Sequence, residues 1–145
     1  MEELIGQLIA DSHEMPLPRA VPRRIVLPRI ERKANAVIGM RRTGKTYLLF
    51  QMMRKLEEQG VPRSRMLYLN FDDERLMELD ISKMRLITDV YFRRFPDSRR
   101  HTVHLFFDEI QMIPGWERYV RRLLDTEDAE ICLTGSSAQM LSREL

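Results

Sequence analysis

A three-layer α/β sandwich around a mainly parallel sheet is the fold class this sequence predicts, and three observations carry it. Short apolar runs of strand type alternate with longer segments whose apolar residues recur at helical spacing. A complete phosphate-binding loop, Gly39-Met40-Arg41-Arg42-Thr43-Gly44-Lys45-Thr46, stands between one such run and one such segment. A later run, Leu105-Phe106-Phe107, ends in two acids, Asp108 and Glu109. About four strands joined by right-handed crossovers accommodate these elements.

In chain order, Leu4, Ile5, Leu8 and Ile9 predict a small amphipathic helix within residues 1–14, either a docking helix or part of the core edge. Pro16, Pro18, Pro22 and Pro28 forbid a continuous helix over residues 15–29, where Arg19, Arg23, Arg24 and Arg29 make an extended basic arm. The organisation expected is therefore an N-terminal helix and Pro/Arg-rich arm at 1–34, followed by the core at 35–145. Ala36-Val37-Ile38 reads as the strand before the loop, and Leu48, Leu49, Met52, Met53 and Leu56 as the helix after it, closed by Gly60 and Pro62. Met66 to Phe71 is a further strand. Asp72, Asp73 and Glu74 after it suit a turn and helix start better than a second metal site. Ser82 to Phe95 has the apolar spacing of a helix with a serine cap. His101 and His104, with no third ligand at metal spacing, are structural.

Val103 to Phe107 is a nearly continuous apolar run, as expected of a strand covered on both faces. Residues 110–115 connect it to a helix with Trp116, Val120, Leu123 and Leu124 on one face and Arg118, Arg121, Arg122 and Asp125 opposite. Trp116 is a packing anchor there rather than a base-stacking platform. Ile131-Cys132-Leu133-Thr134 is a last buried strand, followed by Gly135-Ser136-Ser137 and a helix through Leu141. The ten methionines are scattered and fill core gaps.

Each fixed residue of the loop has a physical task. Gly39 and Gly44 admit backbone conformations that a side chain would block, so that successive N–H groups turn on one phosphate. The helix starting near Gly44 adds unpaired N–H groups and the positive end of its dipole. Lys45 reaches the β- and γ-phosphates, and the Thr46 hydroxyl is placed to hold Mg²⁺. Gly39, Met40, Arg41, Arg42, Thr43, Gly44, Lys45, Thr46 and Tyr47 form the expected nucleotide-binding set, with Arg41 and Arg42 contributing backbone amides. A chain of this length shows the pattern by accident roughly a few times in a thousand.

At the carboxyl end of a buried parallel strand, where ligands of open α/β sheets bind, Asp108 serves the metal together with Thr46. Glu109 is the candidate to orient and polarise water. Thr134 or Ser136, at the end of the neighbouring strand, would stand near the γ-phosphate and the water. Ser136 or Ser137 capping the following helix is an equal alternative, and both roles are compatible. Lys45, Glu109 and Ser136 are thus the candidate catalytic residues.

The segments GMRRTGKTYLLFQ, YLNFDDERL, FFDEIQMIPGWERYVRRLLD and ICLTGSSAQMLSREL resemble the AAA+ domain of predicted prokaryotic P-loop ATPases, over about residues 20 to 145. The resemblance implies a P-loop NTPase fold and ATP as the ligand. It assigns Gly39 to Thr46 to Walker A, Asp108 and Glu109 to Walker B, and Thr134 to Ser137 to the sensor 1 region. Ile25 and Val26 become candidate adenine contacts. The absence of any Asn-Lys-x-Asp sequence agrees with adenine over guanine. The resembling domains continue with a fifth strand, an arginine finger and a helical lid, so the chain reads as truncated before the fifth strand and lid. On that reading the strand at 36–38 is an exposed, aggregation-prone edge. A homo-oligomer or a C-terminal domain missing from this chain would complete the site.

Composition narrows the class. The 145 residues, 43% hydrophobic and 32% charged, are enough for one hydrophobic core. The balance of 24 basic and 22 acidic side chains leaves +2, which gives no general argument for nucleic acid. One cysteine, Cys132, excludes a disulfide framework and fits a reducing cytoplasm. No apolar run approaches the roughly 18 residues of a membrane span. The expected activity is Mg-dependent hydrolysis of ATP. The alternatives are a non-hydrolysing nucleotide-dependent interaction module, DNA-binding through the proline-arginine arm, and less favourably a small-molecule kinase.

Overall fold

The computed structural model describes residues 1–17, 29–30, 34–38 and 44–135. Its elements are α1 (Glu2–Glu14), β1 (Arg29–Ile30), β2 (Ala34–Ile38), α2 (Lys45–Glu58), β3 (Met66–Asn70), α3 (Arg85–Arg94), β4 (Val103–Asp108), α4 (Trp116–Thr126) and β5 (Ala129–Gly135), with short 3-10 turns between them. The sheet order is β1-β2-β5-β4-β3. β2, β5, β4 and β3 are mutually parallel, and β1 joins antiparallel to β2.

β4 is an inner strand, flanked by β5 and β3, and every one of its residues is buried, which is why its sequence is apolar almost without interruption. Strand parity then sorts the side chains. Odd-numbered Leu67, Leu69, Leu105, Phe107, Ile131 and Leu133 join a large core with Ile5, Leu8 and Ile9 of α1, Ile87 and Tyr91 of α3, and Val120 and Leu123 of α4. Even-numbered Met66, Phe106 and Cys132 meet Leu49 and Met53 of α2 on the opposite face. The three layers are thus α2, the sheet, and α1 with α3 and α4. Burial of Trp116 and Cys132 agrees with their reading as core residues.

Helix ends follow local rules. α2 starts at Gly44, whose φ of 81° is left-handed, and stops at Gly60, whose φ is 94°. Gly60 N–H donates to Glu57 O and Val61 N–H to Leu56 O, both at 3.0 Å, while Leu56 and Val61 pack in one cluster. This is a Schellman stop, and Pro62 follows it.

α1 does more than add core area. β3 is the outer strand of the sheet, and α1 covers its free edge: Ser12 Oγ accepts from the Tyr68 N–H at 3.2 Å, and His13 Nε2 lies 2.8 Å from Met66 O. The edge is closed to a further strand. Burial holds the His13 imidazole below its ordinary pKa, so the neutral ring donates to that carbonyl.

Two expectations are corrected. The loop-bearing strand is not a bare edge, because Arg29 and Ile30 pair with Asn35 and Ala34. A proline-rich arm can supply this two-residue bridge since Arg29 and Ile30 both retain their N–H groups. The second correction concerns the helix expected from Ser82. Residues Ile81–Lys83 form a 3-10 turn, Ser82 Oγ donates to Asp80 Oδ1, and α3 begins at Arg85. The Asp-x-Ser side-chain bond competes with a serine cap and delays the helix. Asp72 to Glu74 behave as expected, with Asp73 accepting the Arg75 N–H at the start of a 3-10 turn.

Candidate functional site

The carboxyl ends of β3 and β4 and the first turns of α2 line an open cleft. Gly44, Lys45, Thr46, Tyr47 and Phe50 line one side, and Asn70, Asp72, Asp108 and Glu109 the other. Parity explains the placement: Asp108 and Thr134 continue the even-numbered series of Phe106 and Cys132, so both fall on the α2 face. In register, Asn70 lies beside Asp108 on the other flank.

Two pairs bridge the motifs. Thr46 Oγ1 donates to Asp108 Oδ2 at 2.7 Å across 62 residues of sequence, and Lys45 Nζ donates to Glu109 Oε1 at 2.7 Å across 64. Both members of the second pair are largely shielded, with side chains 6% and 12% exposed. Such a contact is strong in a poorly hydrated cleft and ties the lysine to the acid.

Asp108 is 1% exposed and carries three hydroxyl donors: Thr46 and Tyr68 on Oδ2, each at 2.7 Å, and Thr134 on Oδ1 at 2.5 Å. Among the described residues no lysine or arginine pairs with it, so its charge is solvated by hydroxyls but not neutralised. A buried carboxylate in that state, next to a threonine oxygen, fits a hard divalent cation. No group of three or more His, Cys, Asp or Glu among the described residues could cage an ion alone. A Mg²⁺ here would take its remaining ligands from phosphate and water.

Thr134 is fully buried and its hydroxyl is committed twice, donating to Asp108 and accepting the Glu109 N–H at 2.9 Å. It braces the acids from behind. Glu109 is the one non-glycine residue with positive φ among the described residues, at 56°. That conformation costs on the order of 1–3 kcal/mol and persists where neighbours over-determine it. The Thr134 hydroxyl on its N–H, Lys45 on Oε1 and Gln111 Nε2 on Oε2 at 2.7 Å do so.

Of the residues singled out in the sequence, Gly44, Lys45, Thr46, Tyr47, Asp108 and Glu109 converge on the cleft. Gly39, Met40, Arg41, Arg42, Thr43, Ser136, Ser137, Ile25 and Val26 lie outside the described residues. Sequence reasoning missed Tyr68, Gln111, Asn70 and Phe50. Tyr68 carried one usable signal, since a polar-tipped residue two before Asn70 shares its parity and therefore the face of Asp108. Gln111 carried none, because its contact depends on the left-handed turn at Glu109.

The mainly parallel sheet, the helix rising from a left-handed glycine and the acids at the end of the buried strand β4 define a P-loop nucleotide-binding fold. The comparisons give its family: residues 31–145 match the AAA domain family, and the chain belongs to it. An uncharacterized protein of Methanocaldococcus jannaschii is 34% identical over 143 residues, covering 98% of this chain and 30% of that protein. An uncharacterized protein of Haemophilus influenzae is 33% identical over 113 residues, covering 77% of this chain and 27% of that protein. The chain thus spans less than a third of the length of these relatives. No solved structure matches it significantly. Among the described residues no helix is long and apolar enough to cross a membrane.

Proposed function

We propose that the cleft binds ATP together with Mg²⁺ and hydrolyses it to ADP and phosphate. The observation that carries the reading is the convergence of Lys45, Thr46, Asp108 and Glu109 from two distant segments at 2.7 Å. Membership in the AAA domain family supports a nucleotide of this type.

The contacts of Lys45 and Glu109 suggest how binding and chemistry are linked. The N-terminal turn of α2, with Gly44 as its left-handed cap, turns the positive end of the helix dipole toward phosphate. Lys45 exchanges its Glu109 carboxylate for the more negative triphosphate. Glu109 is thereby released from its ion pair and can accept a hydrogen bond from a water facing the terminal phosphate. Thr134 keeps the Glu109 backbone in place during that exchange, since its bond is to the N–H and not to the carboxylate. Thr46 and Asp108 hold the Mg²⁺, which supplies charge neutralisation of the phosphate oxygens when bound. Ser136 would be a further catalytic group in this reading.

Titration of ATP and Mg²⁺ against the wild type and Lys45→Ala tests the reading. The wild type should bind and Lys45→Ala should lose affinity by at least tenfold. Equal affinity in the two would remove the proposed site. Phosphate release without an added acceptor distinguishes hydrolysis from the kinase alternative.

A further inference from the structure

We infer that the Tyr68 hydroxyl is a positioning group for the divalent-ion site: by donating to Asp108 Oδ2 it fixes the carboxylate in the orientation that meets Thr46. The inference rests on Thr46 and Asp108 being the ion-holding pair. Asp108 receives one hydroxyl from each of three elements, Thr46 from α2, Thr134 from β5 and Tyr68 from β3. Thr134 sets Oδ1. Oδ2 is shared by Thr46, which belongs to the cleft, and Tyr68, which does not line it. Tyr68 is therefore the donor to Oδ2 that a ligand need not disturb.

The choice of a phenol has a chemical reason. A lysine or arginine at this position would orient Asp108 equally well, but it would cancel the charge that attracts a cation. A phenol orients the carboxylate and leaves the charge. The Tyr68 ring is set against Phe50 with centroids 5.0 Å apart, which fixes the hydroxyl before any ion arrives. Outer-layer donors of this kind commonly change metal affinity by about 10–100-fold.

The test measures Mn²⁺ uptake by electron paramagnetic resonance in the presence of ATP for the wild type, Tyr68→Phe and Tyr91→Phe. Tyr91 also buries a phenol hydroxyl, donated to Ser64 O at 2.6 Å, but lies in α3 away from the cleft. Tyr68→Phe should weaken Mn²⁺ binding about tenfold while its affinity for ATP without metal stays within twofold of wild type. Tyr91→Phe should leave both unchanged. Wild-type Mn²⁺ uptake matched by Tyr68→Phe overturns this inference alone. No Mn²⁺ uptake by the wild type with ATP would overturn the ion-site reading as well. In the wild type, adding Mg²⁺ to the ATP complex should also shift the Tyr68 ¹³Cζ resonance. A resonance that stays in place contradicts the inference even if Tyr68→Phe does not fold.

Discussion

Replacing Glu109 by Gln tests the exchange of partners at Lys45, because it changes one charge and little volume. The ammonium and carboxylate stand 2.7 Å apart with side chains 6% and 12% exposed. At an effective dielectric of about 20 their gross attraction is about 6 kcal/mol, most of it offset by the desolvation of both groups. A net contribution of about 1.5 kcal/mol, the lower end for a hydrogen bond to a charged group, must be given up when Lys45 turns to phosphate. Glu109→Gln removes that competition, and ATP should bind about tenfold more tightly in calorimetric titration. The same change leaves a buried ammonium without its carboxylate, so the empty variant should melt below the wild type, and saturating ATP should restore more stability to it than to the wild type. Turnover, measured as phosphate release, should fall by about 10²–10⁴-fold if Glu109 acts on water. Unchanged turnover would refute that role, and no phosphate release by the wild type itself would favour a non-hydrolysing module. Weaker ATP binding would refute the exchange.

Other changes probe the frame around the acids. Thr134→Val keeps the shape but strips a donor from Asp108 and the acceptor of the Glu109 N–H, so it should cost about 2–4 kcal/mol in chemical denaturation and reduce phosphate release more than ATP affinity. Gly44→Ala meets no atom of the described residues within 4 Å, and its φ of 81° should itself cost about 1–2 kcal/mol and lower ATP affinity. Phe107→Ala opens the large core beneath β4, where the side chain is fully buried, and should lower stability by about 3–5 kcal/mol in the same assay. The pKa values of His13 and His104 are both lowered, chiefly by burial. The unfolded chain therefore binds protons that the folded chain resists, so stability is complete above about pH 6.5 and falls as pH drops through the two depressed values. Urea melts between pH 7.5 and 5 should show this fall, and His104→Gln should flatten it in part.

Much of the fold was legible because buried parallel strands leave a strong pattern. The run ending in Asp108 and the helix after Lys45 could hardly be read otherwise, and the pairing of Thr46 with Asp108 follows from the two motifs. What stayed hidden depends on long-range or non-repetitive geometry. A two-residue antiparallel bridge at Arg29 and Ile30 is too short to produce a period, and Ser82 looked like a cap because its bond to Asp80 is a local alternative to one. The role of Ser12 and His13 in closing the edge of β3 requires knowing which strand is outermost. Thr134 was recognised as a site residue, yet its two bonds point to the acids rather than into the cleft. The left-handed turn at Glu109 has no marker in a sequence that places glutamate where glycine would be expected.

The central claim is that one divalent ion ties a bound triphosphate to Thr46 and Asp108. Pulsed electron paramagnetic resonance of Mn²⁺ in the ATP complex tests it most directly. A protein-retained ion with ³¹P couplings from the nucleotide, lost from the protein in Asp108→Asn, is the expected result. Retention of the same protein-bound signal in Asp108→Asn, or a wild-type spectrum identical to Mn²⁺ with free ATP, would contradict it.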